Sequence, residues 1–214
     1  MALSTIFSAL DLRDGFYQIL MRESDIPLTA VSTPSGMLWE WLVMPHGVKN
    51  APATFKRCVA HLLRDFAPSY FDDVFIHSRA VDGKSEVEMH KEHLRRLFAL
   101  TRKHMLYANL KCIFGASEIP VLGCLVGKNG VRPDPGKVRV INERPTPSNV
   151  KELRQFLGLA TYLCKYVSNY AGKIRPLSQL LKKAAAWVWT ADCQQAFDAV
   201  KQGLTEAPIL AVAD

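Results

Sequence analysis

The sequence predicts a mixed α/β (α+β) fold, with an antiparallel sheet and packed helices up to about residue 131 and a smaller, mostly helical region after it. Short runs of aromatic and β-branched residues flank Asp72-Asp73, as is typical of strands. Apolar residues recur at helical spacing after Asn50, and helix-start signals accumulate after Asp134. The chain has 214 residues and 49% hydrophobic content, which is enough to bury a core.

Strands and turns dominate the beginning of the chain. Residues 3–12 and 17–21 have the β-branched and aromatic character of strands. Residues 29–32 and 38–43 are predicted to pair as a hairpin, because Pro34-Ser35-Gly36 between them is typical of a turn.

Two amphipathic helices are predicted on either side of the Asp pair. The first starts at Asn50, a good cap, and its apolar stripe comprises Phe55, Val59, Leu62, Leu63 and Phe66. The second covers residues 85–103, with Val87, Leu94, Leu97 and Phe98 on one face. His90 and His93 have a spacing that can bind metal, but no Cys or third His is placed to complete the set, so a solvated helix surface is the favoured interpretation.

Two more strands and then a series of helices are predicted downstream. The strands are residues 107–114 and 119–127, followed by an Asn-Gly turn at residues 129–130. Asp134 and Pro135 begin a helix that ends near residue 142. Asn149 with Glu152 resembles a capping box, and the helix after it has the buried stripe Leu153, Phe156, Leu157, Ala160, Leu163 and Val167. Helical patterns continue over residues 171–183 and 190–205.

The adjacent carboxylates of Asp72 and Asp73 are the most informative feature of the sequence. Taken alone they are compatible with a polar hairpin turn, since Asp is common in turns. However, Asp11 interrupts another apolar, strand-like run. Acids from neighbouring strands can converge, and three convergent carboxylates suit a pair of Mg²⁺ ions in a two-metal site.

The whole chain has a net charge of +7, and its positive charge is concentrated in the second half. Only Glu143 and Glu152 oppose the basic residues between residues 137 and 183. These basic residues are Lys137, Arg139, Arg144, Lys151, Arg154, Lys165, Lys173, Arg175, Lys182 and Lys183. The segment is typical of a surface that faces a polyanion, although an ordinary solvated helical surface remains the alternative.

Cysteine usage and the N-terminal residues favour a soluble intracellular protein, in a cytoplasmic particle or the nucleus. The five cysteines are odd in number, widely spaced and without a C-x-x-C pair, so neither a disulfide framework nor a zinc knuckle is indicated. The first residues lack a basic region and form too short an apolar run for a signal peptide or a membrane span.

Four motifs in order give the chain a family resemblance. They are LDL-x-x-G-aromatic at residues 10–16, MP-x-G-x-x-NAPATF at 44–55, Y-x-DD at 70–73 and LG at 122–123. Residues 149–160 add a fifth similar block. The chain resembles the reverse transcriptase of gypsy-type LTR retrotransposons over nearly its whole length, although it has His46 where Phe is usual.

The resemblance implies a polymerase right-hand architecture that lacks most of the fingers. Residues 1–131 would be the palm and residues 132–186 a helical thumb. Residues 187–214 would start a connection towards a missing RNase H domain.

The resemblance also implies roles for individual residues. The catalytic, metal-binding acids would be Asp11, Asp72 and Asp73. The residues near the incoming dNTP would be Asp14, Gly15, Phe16, Gly47 and Lys111, with a plain core aromatic as the alternative for Phe16. The residues that contact nucleic acid would be Tyr70, Leu122, Gly123, Lys151 and Arg154.

The function implied is RNA-directed DNA polymerisation by two-metal transfer of a nucleotide from a dNTP to a primer 3′-hydroxyl. Mg²⁺ would be the cofactor, with Mn²⁺ able to replace it. The partners would be an RNA or DNA template with its primer, dNTPs, and the fingers, RNase H and integrase portions of a polyprotein, with no membrane. The alternatives are a catalytically idle nucleic-acid-binding remnant of a retroelement and an unrelated two-metal phosphodiesterase.

Overall fold

The chain forms two compact units, one from Leu3 to Ile119 and the other from Pro120 onwards. The computed structural model describes residues 1, 3–63, 69–70, 72–183 and 185–211. Within this part of the chain, no helix combines the length and apolar character needed to cross a bilayer.

The first unit is built on an antiparallel sheet. The strands of the unit are β1 (Ile6–Asp11), β2 (Val31–Ser32), β3 (Leu38–Trp39), β4 (Ser69–Tyr70), β5 (Asp73–Ser78) and β6 (Ile113–Ala116). Four of them form one sheet in the order β4-β5-β1-β6, while β2 and β3 form the separate predicted hairpin. The central pair, β1 and β5, stays in register from Ile6 opposite Ser78 to Asp11 opposite Asp73.

Two helices, α1 (Ala51–Leu63) and α2 (Glu86–Lys103), accompany this sheet. The stripe predicted for α1 is confirmed at Phe55, Val59 and Leu63, which are buried, while Phe66 lies outside the described residues. These side chains share a core with Leu10 and Leu12 of the β1 region and Val74 and Ile76 of β5. Helix α1 therefore anchors the end of the sheet at which the Asp residues lie.

The predicted apolar face of α2 is partly wrong. Val87 and Phe98 are exposed, whereas His90 is buried, as is Leu97 of the same helix. His90 occupies an inner position because Ser8 lies 2.7 Å from its Nε2 atom and Ser78 lies 2.9 Å from its Nδ1 atom. Hydrogen bonds to both ring nitrogens remove the cost of burying a polar ring.

The strand predicted for residues 17–21 is also wrong. The chain forms a 3-10 helix over Gly15–Gln18 and a second one over Glu23–Thr29. The backbone of Asp14 is left-handed, with φ of 46° and ψ of 47°, and this turns the chain away from the direction of β1. Only an isolated bridge between Leu20 and Val43 remains of the predicted extended segment.

The second unit combines a small sheet with five helices in its described part. Its strands are β7 (Glu118–Val121), which leads the chain into the unit, β8 (Cys124–Gly127) and β9 (Gly130–Pro133), in the order β7-β8-β9. Its helices are α3 (Pro135–Asn142), α4 (Val150–Tyr162), α5 (Tyr170–Lys173), α6 (Arg175–Gln179) and α7 (Ala191–Thr205). The single helix predicted over residues 171–183 is thus divided, with Pro176 in the first turn of α6.

One apolar core holds these helices together. The stripe predicted for α4 is confirmed, since Leu153, Phe156, Leu157 and Ala160 are all buried, as are Leu163 and Val167 after it. Phe197 of α7 packs on Phe156 with ring centroids 4.4 Å apart. Residues before and after 186 therefore share a core. The predicted end of the first region, residue 131, lies inside the second unit, which begins at Pro120.

Candidate active site

The three predicted acids lie at one end of the first sheet. Asp11 ends β1 and faces Asp73, the first residue of β5, across the antiparallel ladder. Asp72 occupies the turn between β4 and β5, and its carbonyl oxygen accepts a hydrogen bond of 2.8 Å from the Leu12 amide. Pairing of distant strands thus brings together acids that are far apart in the sequence.

The electrostatics of this group are unfavourable in the absence of a cation. Burial, followed by the nearby charges of Asp11 and Asp73, raises the pKa of the Asp72 carboxyl, although His46 opposes this shift. Burial and the charge of Asp11 also raise the pKa of Asp73. The Oδ1 atom of Asp72 is buried without a hydrogen-bond partner among the described residues. The site therefore has an acceptor oxygen and surplus negative charge available to a ligand.

Gly15 lies directly against the unpaired Asp72 oxygen. A Cβ atom at this position would overlap with Oδ1 of Asp72 and with the ring of Phe55. Only glycine lets the 3-10 backbone approach both groups, so this residue sets how close the segment after Asp14 comes to the acids.

Phe16 belongs to a group of rings beside this backbone. Its centroid lies 5.0 Å from that of His46 and 5.4 Å from that of Phe55, both in edge-to-face geometry. The next residue, Tyr17, stacks on Trp41 at 5.6 Å and meets His46 edge-on at 4.9 Å. Phe16 is half-buried, so its ring is held by neighbours while part of its surface stays accessible.

The other residues predicted to lie near a dNTP are more loosely held. Asp14 is exposed, with an oxygen 3.5 Å from Nε of Arg13, which is exposed as well. Gly47 has φ of +95°, and apart from its chain neighbours no described residue has an atom within 4 Å of the place that a Cβ would occupy. Lys111 is exposed in the loop before β6.

Asn109 is a contact residue of the site that the sequence patterns missed. Its Nδ2 atom donates to Oδ2 of Asp11 at 3.3 Å, and its backbone amide donates to the Asp11 carbonyl oxygen at 2.7 Å. Phe55 and His46 contact the site too, and both belong to the motif at residues 44–55. A lone Asn in a loop gives no such signal.

The acids do not form a closed metal cage. Among the described residues, no group of three or more His, Cys, Asp or Glu side chains has the arrangement of a metal-binding set. The donor chemistry still fits Mg²⁺, which prefers oxygen ligands, keeps several waters and needs only one or two carboxylates when substrate phosphates complete its shell. The unpaired Asp72 oxygen and the mutual repulsion of the acids agree with such a partly open site.

The predicted nucleic-acid contacts fall into both units. The Tyr70 backbone pairs with Asp73 in the first unit, whereas its side chain lies outside what the structure describes. In the second unit, Leu122 and Gly123 form the turn between β7 and β8, with φ of 48° and 70°. Lys151 and Arg154 are exposed on the outer side of α4.

The Leu122–Gly123 turn is held from one side by α3 and α4. The Tyr162 hydroxyl donates to the Leu122 carbonyl oxygen. The Lys137 ammonium lies 4.9 Å from the centroid of the Tyr162 ring and so close to Gly123 that a Cβ atom there would overlap with it. These contacts hold a leucine in the left-handed conformation, which is rare for this residue.

The chain is similar in sequence to a known protein family and to transposon polyproteins. Residues 1–126 match the family described as reverse transcriptase (RNA-dependent DNA polymerase). The chain is 41% identical over 181 residues to the retrovirus-related Pol polyprotein from transposon opus of Drosophila melanogaster, which covers 82% of this chain and 17% of that polyprotein. It is 35% identical over 212 residues to the Transposon Tf2-3 polyprotein of Schizosaccharomyces pombe, covering 97% of this chain and 15% of that polyprotein.

Solved structures show the same fold. The chain superposes with a TM-score of 0.88 and 24% identity on a foamy viral protease-reverse transcriptase solved with double-stranded DNA, covering 100% of this chain and 38% of that one. A second foamy viral protease-reverse transcriptase, solved with an RNA/DNA hybrid, gives a TM-score of 0.86 and covers 99% of this chain and 28% of that one. The chain thus spans less than half the length of these proteins and a smaller share of the polyproteins.

Proposed function

Since the chain belongs to the reverse transcriptase family, we propose that it carries the catalytic centre of an RNA-directed DNA polymerase from a retrotransposon polyprotein. The predicted relation to gypsy-type LTR retrotransposons is confirmed by the family match and by the identity to transposon polyproteins. The observation that carries the proposal is the convergence of Asp11, Asp72 and Asp73, with a buried oxygen of Asp72 left unpaired.

The proposed reaction transfers a nucleotide to a primer. The primer 3′-hydroxyl gives up its proton to water and its oxygen attacks the α-phosphate of a dNTP in line, so that a new phosphodiester bond forms and the bond to pyrophosphate breaks. Asp11 and Asp72 would be the direct ligands of two Mg²⁺ ions, which Mn²⁺ can replace, and Asp73 would have a more peripheral role. When bound, the ions supply Lewis-acid stabilisation of the attacking and leaving oxygens.

The residues around the acids would position the nucleotide. The backbone at Asp14 and Gly15 lies beside Asp72 and would approach the triphosphate, and the half-buried Phe16 ring would lie beneath the sugar. A bulky ring there would exclude a ribose 2′-hydroxyl by contact. Open space around Gly47 would receive the nascent base pair, and Lys111 would donate a proton to the leaving pyrophosphate.

The second unit would hold the primer and template duplex. The Leu122–Gly123 turn would contact the primer strand, and Lys151 with Arg154 would bind backbone phosphates from the exposed side of α4. Tyr70 would add a contact next to the acids. The proposed partner is therefore an RNA or DNA template with its primer. Basic side chains bind the backbone phosphates of such a duplex whatever its sequence.

The proposed subdomains follow from the same family. Residues 1–131 would form the palm and residues 132–186 the thumb, with residues 187–214 leading towards an RNase H domain. The shared core of α4 and α7 would then join the thumb firmly to the start of this connection. The fingers, RNase H and integrase portions of a polyprotein would be further partners.

Primer extension by the purified chain tests the proposal. A labelled primer on an RNA template is incubated with dNTPs, with and without Mg²⁺, using the wild-type chain and Asp72→Asn. We expect Mg²⁺-dependent extension by the wild type and none by the variant, with unchanged duplex affinity. The assay is repeated with the fingers segment of a related reverse transcriptase fused to the chain. If every form binds the duplex and none extends the primer, a catalytically idle nucleic-acid-binding protein is favoured instead.

A further inference from the structure

We infer that Asn109 is a positioning residue for Asp11: it holds one oxygen of the Asp11 carboxylate so that the remaining lone pairs face the metal site. This inference rests on the proposed function, because it concerns the ligand geometry of the proposed Mg²⁺ site. Asn109 holds Asp11 at two points, with Nδ2 donating to Oδ2 at 3.3 Å and the backbone amide donating to the carbonyl oxygen at 2.7 Å.

The orientation of the Asn109 amide is fixed by its other partner. Its Oδ1 atom accepts a hydrogen bond of 2.7 Å from the Leu110 backbone amide. An amide flip would place an NH₂ group against this N–H and an oxygen against the Asp11 carboxylate, so both contacts would become repulsive. The network therefore assigns Nδ2, the donor, to the side of Asp11.

The loop that carries Asn109 is attached to the end of β1 at several further points. Leu12 and Ala108 form a β-bridge, and the Arg13 amide donates to the Tyr107 carbonyl oxygen at 2.9 Å. The side chain of Gln18 also binds Tyr107, donating to its carbonyl oxygen at 3.0 Å and accepting from its amide at 2.7 Å. Asn109 thus cannot move away from Asp11 without breaking this network.

A neutral donor suits this position. An Arg or Lys would hold the carboxylate as well but would place positive charge next to the cation site, and an Asp would add to the repulsion that raises the pKa of Asp72. An amide orients the carboxylate and leaves its charge intact. Residues that hydrogen-bond a metal ligand in this way typically change metal affinity or activity by about 10–100-fold when they are replaced.

Metal binding to the full chain tests the inference directly. Mn²⁺ is titrated by calorimetry into the wild type, Asn109→Ala and Asn109→Ser, with thermal unfolding measured in parallel. In Asn109→Ser the hydroxyl oxygen can still accept a weaker hydrogen bond from the Leu110 amide, so the conformation of the loop is preserved. The Ser side chain is too short to reach Asp11. We expect both variants to bind Mn²⁺ about 10–100-fold more weakly. Unchanged affinity in a folded variant would overturn the inference.

Gln18→Ala is the matched control. It removes hydrogen bonds to the same loop but leaves the donor on Asp11 in place, so we expect a much smaller change in Mn²⁺ affinity. An equal loss in Gln18→Ala and Asn109→Ser would overturn the inference, since general loosening of the loop would explain both. Asp11→Asn separates the two proposals: if it leaves Mn²⁺ binding unchanged, the proposed metal site itself fails, whereas weaker binding in Asp11→Asn alone refutes only the role of Asn109.

Discussion

Two carboxylates, Asp72 in the first unit and Glu152 in the second, act in opposite ways. In the first unit, burial and neighbouring acids raise the pKa of Asp72, and one of its oxygens has no partner in the described chain. In the second unit, hydrogen bonds from the Ser148 amide and hydroxyl lower the pKa of Glu152 at the start of α4. The same chemical group opposes the fold at Asp72 and stabilises it at Glu152, as expected when the group of acids around Asp72 is shaped for a ligand.

The interiors of the units differ as well. The second unit has a large core of helices in which aromatic rings pack on each other, such as Phe156 on Phe197. The first unit places His90 inside, between serines of two strands. Apolar contacts thus dominate the interior of the second unit, whereas the interior of the first also contains hydrogen bonds to a titratable ring.

The largest expected loss of stability comes from the core of the second unit. Phe156 is 1% exposed, so Phe156→Ala should lower the free energy of unfolding by about 3–5 kcal/mol, through reduced burial and the cavity left behind. Urea denaturation measures this change. Phe98→Ala is the control, since Phe98 of the first unit is 44% exposed and should cost far less. A similar loss of unfolding free energy in both variants would show that side-chain exposure does not determine the cost of these substitutions.

Two glycines should respond to alanine with opposite signs. Gly15→Ala places a methyl group against Asp72 and Phe55 and should destabilise the chain by about 1–3 kcal/mol, with loss of primer extension. The added methyl group of Gly158→Ala in α4 would meet no described atom within 4 Å outside its chain neighbours and the local helix backbone, and should stabilise the helix by up to about 1 kcal/mol. Thermal unfolding of both variants tests the contrast, and a stabilising Gly15→Ala would refute the close approach to Asp72.

Acidification should weaken the first unit through its histidines. Burial, then the N-terminal charge, His93 and His90, lowers the pKa of His77 from 6.5 to about 4. The folded state therefore keeps His77 neutral while the unfolded chain takes up a proton, so stability should fall as the pH drops from about 6.5 to about 4. Urea midpoints across this range should change less with pH in His77→Gln. The exposed control His104→Gln should keep the wild-type slope, and an unaltered slope in His77→Gln would contradict the prediction.

The smallest effect is expected from exposed charges on α4. Lys151→Ala with Arg154→Ala should weaken duplex binding equally for all sequences and flatten its log-log salt dependence by about 0.9 for each B-DNA phosphate that is no longer neutralised. Fluorescence anisotropy at several salt concentrations gives the slope. Lys91→Ala, an exposed change on α2, should leave the slope unaltered. A wild-type slope in the double variant would mean that this face does not meet nucleic acid.

Sequence patterns predicted the features that depend on local periodicity. The stripes of α1 and α4 follow from helical spacing, because burial repeats with the turns of a helix. The meeting of Asp11 with Asp72 and Asp73 could be expected from acids that interrupt two strand-like runs. Their metal-binding role remains a prediction.

Features set by distant contacts escaped prediction. His90 is buried because Ser8, 82 positions away, binds its ring. Asn109 contacts Asp11 from 98 positions away. Residues 17–21 have strand character, yet the chain after Asp14 forms 3-10 helices. None of these contacts leaves a local signal, since each depends on how strands and loops assemble in three dimensions.

The effect of Mn²⁺ on the thermal unfolding of Asp72→Asn and the wild type tests the central claim most directly. If the acids form a cation site, Mn²⁺ should raise the unfolding temperature of the wild type but not that of the variant. Without metal, the variant should be at least as stable as the wild type, because it loses a repelling charge. An equal Mn²⁺ shift in both proteins, or a marked loss of stability in metal-free Asp72→Asn, would contradict the account.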